Sequence, residues 1–370
     1  MTFAKKITIP FSRFYHNLLK IRHYNFQVRK AKRNYRNLPK DEKKKLTPEQ
    51  KKEIRQFYKR LTGERVSTIW HQYFYSRTGV YAKEYLPTSL YRVELMDRAN
   101  IDSYRDAYVD KNMLDTYLPN VKHPHAFLKN MNGYFYMDGE AVSRDTAIQR
   151  LQNLDGALIK PTLESHGVGV RKLTVKDGIT NLEGRTIDKV LDDYGKNYSI
   201  QEFLQQHDAL AALNPSSVNT IRILTYRSDM EVIVLYSVIR IGRAGREIDN
   251  ESTGGISTKI NPDGTLGKYA FGAAKEGRIE RTDSGIVLDG YKIPYYEVAV
   301  EMVKKCHLQL PFFNLIGWDV SIDKDGIPVI IEWNIHTELS QSAFGPAFGQ
   351  YTERIIRELW SRPNTRDQYL

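Results

Sequence analysis

The stretch Leu315-Ile-Gly-Trp-Asp-Val-Ser-Ile-Asp-Lys-Asp-Gly-Ile-Pro-Val-Ile-Ile-Glu-Trp-Asn334 holds two apolar, alternating segments around Asp325-Gly326. Asp-Gly between such segments predicts a β-hairpin, and side chains alternate faces along each strand. Ile316, Trp318, Val320 and Ile322 then share one face, with Gly317, Asp319 and Ser321 on the other. In the second strand Val329, Ile331 and Trp333 are the apolar set, leaving Ile330, Glu332 and Asn334 opposite. A two-residue loop at Asp325-Gly326 sets Asp319 directly across from Glu332, and a four-residue loop makes them diagonal neighbours on the same face. Facing carboxylates repel unless they are solvated or a cation lies between them. Asp, Glu and an Asn carbonyl are hard oxygen donors suited to Mg²⁺, which uses one or two carboxylates plus water and substrate phosphate. Two such ions can bridge the phosphates of a nucleotide. Taken alone, the pair reads equally well as the solvent face of an antiparallel sheet.

Upstream of the hairpin, Lys160 ends Ala157-Leu-Ile-Lys before Pro161, and Gly167-Val-Gly-Val170 follows. The pattern predicts strand, glycine-bearing loop, strand. Backbone N–H groups in such a loop, with a lysine beside them, suit a polyanion, while an ordinary glycine hairpin is the plain alternative. No GK[ST] and no GxGxxG ahead of a helix occurs, so neither a Walker loop nor a dinucleotide fingerprint is present. Gln201-Glu202-Phe203-Leu204 follows a strand through Ile200. The run Ser217 to Thr225 places Asn219 and Arg222 within apolar β sequence. A charged arginine there needs an anionic ligand or a carboxylate partner, a structural ion pair being the alternative. Arg240 ends the next strand, and Arg246, Asp249, Asn250 and Gly254-Gly255 form a polar, turn-rich loop after it.

Further strands are predicted at 170–175, 198–204, 218–226 and 232–240, and helices near 187–194 and 293–309. Thr47-Pro48-Glu49 opens a helix to about Leu61. The chain has 370 residues and a net charge of +11, a balance that on its face suggests a nucleic-acid or acidic-membrane partner. The charge is uneven: residues 1–60 carry 19 Lys+Arg against 4 Asp+Glu, and the rest is slightly acidic. Phe11, Phe14, Tyr15, Leu18 and Ile21 recur at helical spacing within this basic arm. Such a helix either packs its stripe on the body or lies on an anionic membrane surface; nucleic acid is the weakest of the three readings. No run of 18 apolar residues exists, and Met1–Lys20 has no apolar signal core, so neither a transmembrane helix nor a secretory signal is expected. The single Cys306 excludes an intramolecular disulfide and a cysteine-cluster metal site. A cytoplasmic protein, peripheral at the inner face of the membrane if the arm binds lipid, is the expectation.

The ordered set Ile159-Lys-Pro161, Gly167-Val-Gly-Val170, Gln201-Glu-Phe203, Arg222, Arg240, Asn250, and Asp319 with Glu332-x-Asn334 resembles the ATP-grasp superfamily. Asp110-Lys-Asn112, Ser217-Val-Asn-Thr-Ile-Arg222, Asp249-Asn-x-x-x-Gly-Gly255, Ile316-Gly-Trp-Asp319 and Glu332-Trp-Asn334 are similar to its sugar-transfer associated family, relatives of the α-L-glutamate ligases. The resemblance covers roughly residues 80–345. It implies an α+β, ATP-grasp fold of two lobes with mainly antiparallel sheets clasping ATP, behind a basic helical arm. The implied division is arm 1–66, lead-in 67–150, small lobe 151–210 and large lobe with the metal hairpin 211–370.

The resemblance also implies roles. Lys111 and Lys160 would contact ATP phosphates, under a loop holding Ser165, Gly167 and Gly169. Gln201, Glu202 and Phe203 would receive adenine, with Asp208 a weak candidate for ribose. Of the implied catalytic residues Arg222, Arg240 and Asn250, Arg222 would stabilise the transferring phosphoryl group or an acyl phosphate, and Asn250 with Arg246 would border the phosphate or acceptor site. Asp319, Glu332 and Asn334 would hold Mg²⁺, as two ions, with Mn²⁺ able to substitute. His336 and Glu338 would bind the acceptor or take up an amine proton, or are surface loop residues. The implied reaction is ATP-dependent carboxylate–amine ligation through an acyl phosphate, joining small-molecule substrates, an amino acid and a sugar acid, in cell-surface polysaccharide (capsule) biosynthesis. Such chemistry needs cationic clamps and alignment rather than a covalent nucleophile. A phosphotransferase acting on a sugar, and a nucleotide- or glycan-binding module without turnover, are the alternatives.

Overall fold

The structure, a computed structural model, describes residues 3–164, 168–245 and 254–364. Three helices lead. α1 (Phe3–Asn37) runs through the basic stripe. α2 (Pro48–Thr62) starts where Thr47-Pro48 predicts: Gln50 N–H donates to Thr47 Oγ1 at 3.2 Å, and Thr47 N–H donates to Gln50 Oε1 at 2.9 Å, a reciprocal cap. α3 (Ile69–Thr78) packs against α1.

α2 is part of the body rather than of a free arm, because Ile54, Phe57, Tyr58 and Leu61 are buried with Leu224, Tyr226 and Ile355. α1 is two-sided. Gln27, Ala31 and Leu38 are buried, the last two beside Trp70, Tyr73 and Phe74. Tyr15, Leu18, Leu19, Ile21 and Phe26 are exposed. At about 3.6 residues per turn, Gln27, Ala31 and Leu38 fall opposite Leu18, so the described part of the stripe, Tyr15, Leu18 and Ile21, does not pack on the body. The side chains of Phe11 and Phe14 lie outside the described ones. Among the described residues no helix is long and apolar enough to cross a membrane.

Two antiparallel seven-stranded sheets follow. The first comprises β1 (Ala126–Met131), β2 (Tyr134–Met137), β3 (Glu140–Val142), β4 (Leu154–Pro161), β5 (Arg171–Lys176), β6 (Ile179–Thr180) and β7 (Tyr198–Glu202). Its order is β3-β2-β1-β7-β4-β5-β6, so it draws on both sides of residue 150. The helices Arg144–Arg150 and Ile187–Tyr194 cover it, with Ala147, Ile187, Val190 and Leu191 buried against Leu128, Ile159, Leu173 and Ile200.

The second sheet comprises β8 (Thr220–Ser228), β9 (Glu231–Ile241), β10 (Ile256–Ile260), β11 (Ala270–Phe271), β12 (Arg278–Ile279), β13 (Leu315–Ile322) and β14 (Pro328–Asn334). Its order is β12-β11-β10-β9-β8-β13-β14. The helix Tyr296–Leu308 packs Ala299, Val303 and Cys306 against Ile221, Ile239 and Trp318. α2 and the helix Thr352–Trp360 contribute to a second core cluster with Leu224, Tyr226 and Leu235. Covered on both sides, β13 is buried at every position, which explains its near-continuous apolar sequence. This is the expected α+β, two-sheet arrangement.

The hairpin departs from strict alternation. Near the turn Ile322 pairs with Pro328 and Val320 with Ile330, one residue out of the register assumed for a two-residue loop. A bulge between Asp319 and Val320 restores the register, so Asp319 does pair with Glu332, Trp318 with Trp333 and Gly317 with Asn334. The bulge also shifts phase: Ile330, expected beside Glu332, is in the core with Trp318, Val320 and Trp333. The segment leaving β7 joins the sheets. His207 N–H donates to Ile322 O at 2.8 Å, and Lys324 N–H to Gln205 O at 2.9 Å. Lys122 Nζ lies 2.6 Å from Asp323 Oδ2 at the same junction.

Candidate functional site

Asp319 is flanked by Arg222 on β8 and Glu332 on β14, both direct register partners. Arg222 donates from Nε to Asp319 Oδ1 at 2.6 Å and from Nη2 to Oδ2 at 2.5 Å. Its remaining arm, Nη1, donates to Thr337 Oγ1 at 2.8 Å. Arg222 is 4% and Asp319 3% exposed, so this charge pair is desolvated and held by fork geometry. Burial pulls the guanidinium pKa down, but the charge and hydrogen bonds of Asp319 outweigh it and hold Arg222 above its usual range. Arg240 Nη1 adds a contact to Asp319 Oδ1 at 3.4 Å.

Gly317 explains how the pair fits. A Cβ there would stand 2.5 Å from Thr337 Oγ1 and 3.4 Å from Arg222 Cδ. The glycine of Ile316-Gly-Trp-Asp319 is therefore the space that Thr337 and Arg222 use.

Lysines close the other side. Lys111 Nζ lies 3.2 Å from Glu332 Oε2 and donates to Glu164 O at 2.9 Å, linking the end of β4 to β14. Glu332 would be raised by burial, but Lys111, the Asn334 amide, Arg222 and Lys160 hold it well below the usual carboxylate range. Lys160, on β4, is 6% exposed. Desolvation first, then the charge of Lys111, brings its ammonium down to about 7 against the pull of Glu332. It has no hydrogen-bond or ion-pair partner among the described residues. Three cations (Lys111, Arg222 and Arg240) and the buried Lys160 amine thus surround two carboxylates. A cluster short of negative charge suits a polyphosphate.

Asp319, Glu332 and Asn334 share one face. Asn334 Nδ2 donates to Glu332 Oε1 at 3.1 Å and to Asp319 Oδ2 at 3.3 Å. Turning that amide over would aim its oxygen at the same point. Both Asp319 oxygens are engaged by Arg222, leaving Glu332 and Asn334 as the more available donors. Among the described residues no group of three or more His, Cys, Asp and Glu could hold a metal. A hard divalent cation would thus bind through one or two carboxylates, an amide oxygen and substrate phosphate, the manner that suits Mg²⁺.

The other expected residues spread out. Glu202 Oε1 accepts from His125 N–H at 2.9 Å, and Phe203 N–H donates to Gly156 O at 2.7 Å. Gln201 pairs with Leu158 and Ala126, in the middle of the first sheet beside Lys160's strand. Lys172 stands 5.2 Å over the Phe203 ring. Asp208 is exposed at the start of a short helix. Gly169 adopts φ 74°, and its carbonyl accepts from Tyr194 O–H at 2.7 Å. Ser165, Gly167, Arg246, Asp249 and Asn250 lie outside the described residues. Asn219 is a buried brace, donating to Leu210 O and Asn214 O at 2.7 and 2.9 Å. His336 Nε2 sits 2.8 Å from Asp102 Oδ1, and Glu338 pairs with Arg92. Thr337 was missed by sequence reasoning; its one signal is its place three residues past Asn334.

The sequence pattern of the family described as sugar-transfer associated ATP-grasp matches residues 97–348. No curated protein matches. Among solved structures, the L-amino acid ligase from Bacillus licheniformis is similar at 12% identity, covering 70% of this chain and 49% of its own, with TM-score 0.36. The D-alanine–D-alanine ligase from Bacillus anthracis is 15% identical over 70% of this chain and 69% of its own, TM-score 0.38. The biotin carboxylase from Campylobacter jejuni is 12% identical over 70% and 48%, TM-score 0.41. The chain therefore spans about half the length of two of these proteins. With the family pattern matched over most of its length, the chain belongs to the sugar-transfer associated ATP-grasp family.

Proposed function

We propose that the chain joins the carboxylate of a sugar acid to the amine of an amino acid, in the assembly of a cell-surface polysaccharide. The γ-phosphoryl of ATP passes to the carboxylate oxygen, giving an acyl phosphate and ADP. The amine then attacks the acyl carbon, inorganic phosphate leaves, and the amine gives up a proton. The observation that carries this reading is the excess of cations around Asp319 and Glu332, with buried Lys160 unpartnered.

Lys111 and Lys160 hold the phosphates in this scheme, and Arg222 and Arg240 face the transferring phosphoryl group. The β7 exit at Gln201–Phe203 receives the adenine. Mg²⁺ at Glu332, Asn334 and Asp319 would supply charge neutralisation at the phosphates. The outward face of α1, with Leu18, Ile21 and Phe26 exposed beside Arg22 and Arg29, supports placement at an anionic membrane surface.

The test is ADP release from the purified chain with MgATP and a panel of amino acids and uronic acids. Hydroxylamine trapping of an acyl hydroxamate separates ligation from simple phosphotransfer. Glu332→Gln should abolish release while the fold survives. No ADP above background with any pair, or full activity in that variant, overturns the proposal.

A further inference from the structure

A second groove lies beside the charge cluster, and its outer wall comes from residues ahead of the family match. It is walled by Lys30 of α1, by Trp70 and Phe74 of α3, by Arg92, and on the far side by the segment Glu338–Ala343. That segment starts one residue past Thr337, which Arg222 grips, and Ser257 in the groove pairs with Arg240. The groove therefore runs from the cleft outward.

Its chemistry is specific. Trp70 is 3% exposed, and its indole N–H has no hydrogen-bond partner among the described residues. A buried donor left unpaired is costly unless a ligand accepts from it. The indole stacks on Phe74 with centroids 5.5 Å apart, giving an apolar surface. Lys30 and Arg92 both lean on one carboxylate, Glu338, at 3.9 and 2.5 Å, so two cations share a single anion. Ser340 and Ser342 add hydroxyl groups on the facing wall. The cavity measures about 140 Å³, below the roughly 300–1,000 Å³ that takes a drug-sized ligand.

We infer that this groove is the seat of a monosaccharide-sized, hydroxylated carboxylate, with Trp70 and Arg92 as binding residues. The carboxylate answers Arg92 and Lys30, a ring oxygen or hydroxyl accepts from the Trp70 indole, and the serines meet the remaining hydroxyls. The inference rests on the ligase reading for what the ligand does next, but not for its binding.

The test is calorimetric titration of the full chain with glucuronate in the absence of nucleotide. Saturable binding is expected, weakened about tenfold by Trp70→Phe and by Arg92→Gln. Glucose and glutamate, each lacking half of the recognised chemistry, should compete at least tenfold less well. MgADP binding reports that each variant is folded. Ser342→Leu fills the groove from the opposite wall and should also weaken glucuronate. No saturable binding, binding unmoved by all three variants, or equal competition by glucose or glutamate overturns the assignment. ADP release without glucuronate binding refutes the groove alone; glucuronate binding without ADP release refutes the ligase reading alone.

Discussion

Arg222 grips both carboxylate oxygens of Asp319, at 2.6 and 2.5 Å, with neither residue more than a twentieth exposed. Removing one partner leaves an uncompensated charge in a desolvated site, at a cost of about 3–5 kcal/mol. Arg222→Ala and Asp319→Ala should each lower unfolding stability by that order in urea titrations. Arg222→Lys keeps the charge but cannot reproduce the fork or reach Thr337 with a third arm, so a smaller loss is expected. A fully stable Asp319→Ala variant would show that the pair is not desolvated in solution.

Gly317→Ala should be disproportionately harmful for a single methyl group. Its Cβ would collide with Thr337 Oγ1 at 2.5 Å, and Thr337 is braced by its own bond to Arg222. Thr337→Ala removes that oxygen and should partly rescue Gly317→Ala. Thr337→Val removes the acceptor of a charged donor and should cost about 1.5–3 kcal/mol. Chemical denaturation of the four variants gives the coupling. Additive losses for Gly317→Ala and Thr337→Ala would refute the shared-space account.

The register of the hairpin at Asp319 and Glu332 was legible in sequence, but for a reason that alternation alone does not supply. The turn is longer than Asp325-Gly326 suggests, and the bulge beside Asp319 offsets it, so Ile330 and not Glu332 enters the core. Arg222 was legible because a charged side chain in an apolar strand demands a partner. That its partner would be Asp319, 97 residues on, follows only from the strand order β8-β13-β14. Gly317 and Thr337 were illegible because each matters only through a neighbour distant in sequence. The facing of α1 was likewise hidden: its apolar stripe is evident at Tyr15, Leu18 and Ile21, but which side meets α3 depends on Ala31 and Leu38.

Acid should destabilise the fold through two buried imidazoles. His307 Nε2–H donates to Phe313 O at 3.0 Å, which leaves Nδ1 to accept from Thr225 O–H at 2.7 Å. Trp318 Nε1–H donates in turn to Thr225 Oγ1 at 2.8 Å. Desolvation brings His307 down to about 4 despite the Phe313 carbonyl, and His71 likewise to about 4 despite the Lys83 carbonyl. Both folded values lie below the unfolded value near 6.5, so the unfolded chain takes up protons first as pH falls. The stability tied to neutrality is complete above about pH 6.5 and is lost progressively toward pH 4. Each imidazole can contribute on the order of 3 kcal/mol across that window. Nitrogen-15 spectra at pH 5 should show both rings neutral, and His307→Gln should flatten the pH dependence of the urea midpoint. A ring of His307 that titrates near 6.5 would contradict the buried relay.

The outward face of α1 should bind anionic vesicles through apolar insertion as well as charge. Leu18, Ile21 and Phe26 are 47%, 58% and 55% exposed, an unusual outlay of large apolar surface on one helix. Arg22, Arg29, Lys32 and Arg33 are exposed further along it, where each basic residue near an anionic surface adds about 1 kcal/mol. Buried apolar area and charge attraction respond differently to salt, since only the second is screened. The chain should therefore pellet with phosphatidylserine-containing vesicles at low salt, and a residual fraction should persist at high salt. Replacing Leu18, Ile21 and Phe26 with serine should remove that residue, because the basic residues alone would be fully screened. All three side chains are exposed, so the α1–α3 contact and MgADP binding should survive the change. Equal pelleting by the serine variant at high salt would overturn apolar insertion. Equal binding to neutral and anionic vesicles would overturn the role of the arginines and lysines.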